Sequence, residues 1–264
     1  MPDFVRYPGS NSFRRTAGRH GLCIMARTHK AFVSVLAGIA LLGLGNCVAQ
    51  GSAQRFVVVL DAAHGGTETG GRLGDAAGQT QLEKAYTLAL SVRLRSLLAA
   101  RGITVITTRE SDALVDADHR AEVANRANAQ ACLSLHASQS GTGVHLYASS
   151  LAPVEPAAML PWKTAQAAWV TRSLALAGVL NSSLSHAGLN VALGRTDLLT
   201  INSMACPALA IEIGKSSAPD SAQSGGFDDA DYQARIAQAV AAGILEWKSN
   251  GWRTSAVSAE AGRP

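Results

Sequence analysis

Phe56-Val57-Val58-Val59-Leu60-Asp61-Ala62-Ala63-His64-Gly65-Gly66 begins as a run of branched apolar residues and stops on an acid, a histidine and two glycines. An apolar run this short, closed by turn residues, reads as a strand buried on both faces, as in a parallel sheet with helices on either side. Outward from it the alternation repeats: strands are expected at 56–61, 103–108, 131–136, 144–147 and 208–213, and helices at 82–98, 118–129, 164–187 and 229–247. In the first of these helices Leu82, Tyr86, Leu90, Leu94 and Leu98 share a stripe, and Gly102 supplies a stop. The expectation is one α/β domain, a largely parallel twisted sheet flanked by helices, over residues 50–248. A leader over 1–49 precedes it, and a small, polar, disordered tail over 249–264 follows.

Composition supports a well-filled core, since 47% of the 264 residues are hydrophobic and 16% are charged. The net charge of +4 would suggest an anionic partner, but six basic residues against the single acid Asp3 lie within 1–49 and leave the remainder close to −1. Nucleic-acid binding therefore loses its main support. Within the leader, Arg27 and Lys30 precede an uncharged apolar stretch over 31–45 and then the small residues Cys47-Val48-Ala49. That order is the layout of a secretory signal peptide, with translation starting at Met1 or at Met25 and cleavage near Ala49. The stretch is shorter than the roughly 20 apolar residues of a membrane span, and a retained leader is the one membrane contact expected. Export to the periplasm or cell envelope follows. Of the two cysteines left after cleavage, Cys132 and Cys206, both sit among apolar neighbours and read equally as buried thiols or as a disulfide.

In such sheets the informative polar residues stand where an apolar strand ends. These are Asp61 and His64 after the first strand, Ser134 and His136 on the third, and Glu212 within Ala208-Leu209-Ala210-Ile211-Glu212-Ile213. Glu83 opens the first helix behind a glycine-rich loop. Two histidines and a glutamate from separate elements are a plausible three-ligand zinc set, with a further glutamate for proton transfer. Each also has an ordinary explanation: a turn for His64, a helix dipole for Glu83, a core position for His136. A carboxylate among the apolar neighbours of Glu212 is the hardest to explain structurally.

Taken together, Val58 to Gly66, Glu83-Lys84, Thr108 to Asp112, Arg120 with Ala124-Asn125, Ser134 to Ala137 and Pro207 to Glu212 resemble the zinc-dependent N-acetylmuramoyl-L-alanine amidases of the Amidase_3 family. The resemblance implies one zinc ion per chain held by His64, Glu83 and His136, with Glu212 in the catalytic position. It also implies action on peptidoglycan at the amide between N-acetylmuramic acid and L-alanine, and a monomer is expected. Arg109 and Asn125 match family positions and are expected to act as scaffolding, and Asp61 as a strand-end acid that orients others. Departures are Ala63 where glycine is usual, Thr67 to Gly70, Ser138, and Gly214-Lys215-Ser216-Ser217. Ala63 is tolerable only if its position needs no positive φ. The segment 148–163 is too short for an autoinhibitory helix. The altered rims leave two alternatives, a noncatalytic murein-binding protein and a zinc hydrolase of another amide or peptide.

Overall fold

A computed structural model describes residues 55–74, 78, 80–155, 159–216, 227 and 229–250. The leader, its cleavage site and nearly all of the expected tail lie outside the described residues. The first two tail residues, Ser249 and Asn250, instead complete the last helix.

Six strands form the central sheet in the order β4-β1-β5-β8-β6-β7. They are β1 (Val57–Ala62), β4 (Thr104–Thr107), β5 (Ala131–Thr142), β6 (Val144–Ser149), β7 (Val191–Thr196) and β8 (Ala208–Lys215). β4, β1, β5 and β8 run parallel, β6 and β7 run parallel to each other, and the seam between β6 and β8 is antiparallel. A small hairpin of β2 (Arg72–Gly74) and β3 (Thr80–Leu82) precedes the first helix. The expected largely parallel sheet is what forms.

Strand alternation divides the side chains between two faces. Val58, Leu60, Leu133, Leu135, Leu146, Leu209 and Ile211 join one continuous core with Leu90 and Leu94 of α1 (Glu83–Ala99), Leu176 and Leu180 of α3 (Val170–His186), and Ile236 and Val240 of α5 (Ala230–Asn250). On the opposite face Val59, Cys132, Ala208 and Ala210 meet Ala121 and Ala124 of α2 (Ala117–Arg126) and Ile201 of the short α4 (Leu199–Asn202). This second layer is built from smaller residues. Asp61, Ser134, His136 and Glu212 all alternate onto it. In the same layer Cys132 and Cys206 form a disulfide, with their Cα atoms 6.3 Å apart.

The third helix begins later than its pattern suggests. Residues Trp162–Ala168 form a 3₁₀ segment with Thr164 off the helical conformation, and the α-helix starts at Val170. The cause is Gln166, a buried amide that donates to the carbonyls of Met204 (2.7 Å) and Cys206 (3.0 Å) and accepts from Ser173 Oγ (2.6 Å). Those tertiary bonds fix the turn against the intrinsic preference of the segment. Among the described residues, 148–163 holds no α-helix.

Candidate metal centre

β1 delivers His64 through a sharp reversal. His64, Gly65 and Gly66 have φ values of 62°, 139° and 57°, and the turn closes through paired backbone bonds between Gly65 and Glu68. A non-glycine residue in the left-handed region is strained, and such strain persists only where the surroundings hold it. Here Arg120 Nη2 donates to the His64 carbonyl at 2.8 Å. Ala63 is still in the ladder, its N–H donating to the Leu135 carbonyl at 3.1 Å, so the positive φ falls one residue later and the alanine costs nothing.

Glu83 is the first residue of α1, and its carboxylate is 6% exposed at the residue level. Its Oε2 lies 3.1 Å from His64 Nε2, its Oε1 3.3 Å from His136 Nδ1, and the N–H groups of Gly71 and Ala137 donate to it at 2.9 and 3.1 Å. Gly70 makes the approach possible, because a Cβ there would stand 2.6 Å from both Glu83 Oε2 and His64 Cδ2. Burial works to raise the pKa of this carboxyl. The hydrogen bonds from His136, His64 and the two backbone amides overcome it and hold Glu83 well below the ordinary carboxylate range. His64 is raised in turn by its bond to Glu83, against the opposing effect of burial.

His64, Glu83 and His136 thus offer ligand atoms that all lie within 4.8 Å of one another. Two imidazoles and a carboxylate suit zinc. The outer nitrogen of His64, Nδ1, is buried without an aligned hydrogen bond, although Glu68 Oε1 stands 3.4 Å away. The close approach allowed by Gly70 and the two imidazoles turned onto one carboxylate both fit a site made to be completed by an ion.

Glu212 pairs in register with His136 on β5 and with His145 on β6, which places it on the same sheet face as the histidine. It is half-buried, and no described residue makes a hydrogen bond or ion pair with its carboxylate. A cleft of about 190 Å³ beside the triad is lined by Asp61, His64, Glu68, Arg120, Ser134 and His136 among others, and Glu212 is outside that lining. A larger groove of about 700 Å³ runs along α2 past Trp162 and contains none of the four residues.

Behind the triad the support is dense. Arg109 donates to the carbonyls of Ala62 (2.8 Å), Ala63 (3.0 Å), Lys84 (2.7 Å) and Ser111 (3.0 Å), so it ties the His64 loop to the start of the Glu83 helix. Asn125 clamps the turn before Cys206, donating to the Ser203 carbonyl and accepting from the Ala205 N–H. Asp61 accepts from Thr108 Oγ1 (2.7 Å), Arg120 Nη1 (2.6 Å) and Ser134 Oγ (2.6 Å), and the Ser134 oxygen is 3.3 Å from His136 Nε2. Sequence reasoning missed what Arg120 does. A usable signal was its place beside Ala121 and Ala124 on the buried stripe of α2, where a guanidinium requires a carboxylate partner.

The sequence profile of the Amidase_3 family, described as N-acetylmuramoyl-L-alanine amidase, matches residues 58–246. The chain belongs to this family. An N-acetylmuramoyl-L-alanine amidase of Mycobacterium tuberculosis is 28% identical over 186 residues, covering 68% of this chain and 74% of the relative. AmiA of Escherichia coli, an enzyme of the same description, is 37% identical over 91 residues, covering 34% of this chain. The matched segments span 29%, 34% and 21% of three other curated relatives' own length, AmiA among them. The fold is that of the catalytic domain of the amidase CwlV from Bacillus (Paenibacillus) polymyxa, with a TM-score of 0.55 and 24% identity over 74% of this chain and 98% of that one. AmiC2 of Nostoc punctiforme gives a TM-score of 0.55 at 22% identity, with 74% and 98% covered. This Amidase_3 chain therefore shares the architecture of catalytic domains and has the triad at the carboxyl ends of its parallel strands.

Proposed function

We propose that the protein is a zinc-dependent peptidoglycan amidase that hydrolyses the bond between N-acetylmuramic acid and the L-alanine of the stem peptide. The observation that carries this reading is the convergence of His64, Glu83 and His136 with Glu212 in register beside His136, in a chain of the Amidase_3 family. His64, Glu83 and His136 would hold the ion. When bound, zinc supplies Lewis acidity and brings the pKa of water toward about 7.

The two glutamates divide the work by environment. Glu83 is fixed by two imidazoles and two backbone amides and stays ionised, so it serves as a ligand and is a poor proton carrier. Glu212 has no fixed partner among the described residues and is free to move a proton. Its carboxylate accepts a proton from the attacking water and delivers it to the nitrogen of the leaving L-alanine as the C–N bond breaks. His64 and Glu83 keep their mutual placement through Arg109, which holds both carrying elements.

One chain supplies all four groups, which supports a monomer. The Cys132–Cys206 disulfide supports an oxidising, extracytoplasmic setting, and among the described residues no helix is long and apolar enough to cross a membrane. The decisive test is release of stem peptides from purified murein, with muramyl-free peptides as a control for other amide hydrolysis. Chelation should abolish release, and Glu212→Gln should lower it by at least about 10²-fold, the scale of a lost general base. Release that survives both treatments overturns the proposal, and zinc-free murein binding without hydrolysis would assign the chain to a noncatalytic role.

A further inference from the structure

We infer that Ser134 is a positioning residue that decides which nitrogen His136 presents to the metal, acting at the end of a hydrogen-bond chain from Arg120 through Asp61. The inference rests on the zinc reading above. It starts from donor counting. A guanidinium only donates, a carboxylate only accepts, and a serine hydroxyl has a single proton to give. Asp61 is 1% exposed, and its Oδ1 is occupied by Arg120 Nη1 at 2.6 Å and Thr108 Oγ1 at 2.7 Å. Its Oδ2 receives the Ser134 hydroxyl at 2.6 Å. That bond uses the serine's one proton, so toward His136 Nε2, 3.3 Å away, Ser134 can only accept.

The imidazole must then carry its hydrogen on Nε2. Nδ1, 3.3 Å from Glu83 Oε1, bonds that carboxylate in the metal-free chain, and in the neutral, metal-binding imidazole it is the nitrogen whose lone pair is left on the side of the triad. Because Arg120 has no acceptor, the chain cannot run in the opposite direction, and the tautomer is set by residues that never touch the metal. Arg120 is anchored independently, donating to the carbonyls of Val115, Ala62 and His64, so the whole relay is rigid. His64 provides the contrast. It turns Nε2 toward Glu83 at 3.1 Å, and its outer nitrogen has only Glu68 nearby, misaligned and with a side chain 58% exposed. The two histidines therefore present different nitrogens, and only His136 has a rigid partner behind it.

Partners of this kind change metal affinity about 10- to 100-fold when removed. Zinc dissociation constants of the full-length protein, measured by competition with a chromophoric chelator, should weaken by about that factor in Ser134→Ala and return most of the way in Ser134→Thr, which keeps the hydroxyl. Thermal unfolding of the metal-free forms should show the alanine variant folded. A ¹⁵N spectrum of zinc-loaded, histidine-labelled wild type should show His136 bound through Nδ1 with a proton on Nε2. Ligation through Nε2, or an alanine variant that binds zinc as tightly as wild type, overturns the relay alone. Failure of the wild type to take up zinc at all overturns the functional reading beneath it.

Discussion

At the scale of single residues, the contacts around Glu83 predict an unusual pH response of the metal-free protein. His64 has its pKa raised in the folded chain, so its pairing contributes fully below the unfolded value of about 6.5 and is lost as pH rises through the higher folded value. Glu83 is shifted the other way, so its contribution is present above about 4.3 and is lost as pH falls toward its depressed value. Urea midpoints of the metal-free protein should therefore peak between these limits, and Glu83→Gln should flatten the profile; an unchanged profile in that variant would refute the pairing. Arg109→Ala removes the guanidinium shared by the carbonyls of Ala62, Ala63 and Lys84, which keep Arg120 or Thr87 as donors, and should cost about 2 kcal/mol in denaturant unfolding, with Arg109→Lys failing to restore the fan of bonds. His64, Glu83 and His136, which the structure brings together, stood out in the sequence jointly, through the family resemblance, because each alone has an ordinary explanation; Glu212 stood out by itself as a carboxylate inside an apolar strand. The relay through Asp61, Ser134 and Arg120 was not legible, because hydrogen-bond direction depends on which strands become neighbours.

Elements were readable where burial is one-sided or complete. β1 and β8 announce themselves as unbroken apolar runs, and the α1 stripe is realised with Tyr86, Leu90, Leu94 and Leu98 inward. β7 gave no such signal, since an edge strand with Leu193, Gly194 and Arg195 is largely exposed. β5 runs to Thr142, past the expected 136, because Thr142 still pairs with Lys215 after a register shift. The late start of α3 reflects a single buried amide. Gln166→Ala leaves two carbonyls and the Ser173 hydroxyl without that partner and should destabilise by roughly 2–3 kcal/mol, read from the urea midpoint. A change under about 0.5 kcal/mol, typical of surface sites, would show that the 3₁₀ segment is held otherwise.

For the molecule as a whole, the disulfide closes a sequence separation of 74 residues, from the strand that carries His136 to the turn that leads into the strand carrying Glu212. Loop-closure entropy for that length suggests a loss of about 4 kcal/mol in Cys206→Ala, measured by chemical denaturation against the oxidised parent. Wild-type stability in the double alanine variant would exclude the bridge as a structural support. The order of the sheet has another consequence. β8 lies between β5 and β6, yet it is made after both, and α5 behind it is made later still. The strand that joins the two halves of the sheet is thus supplied late in the chain, and neither half closes on the other without it.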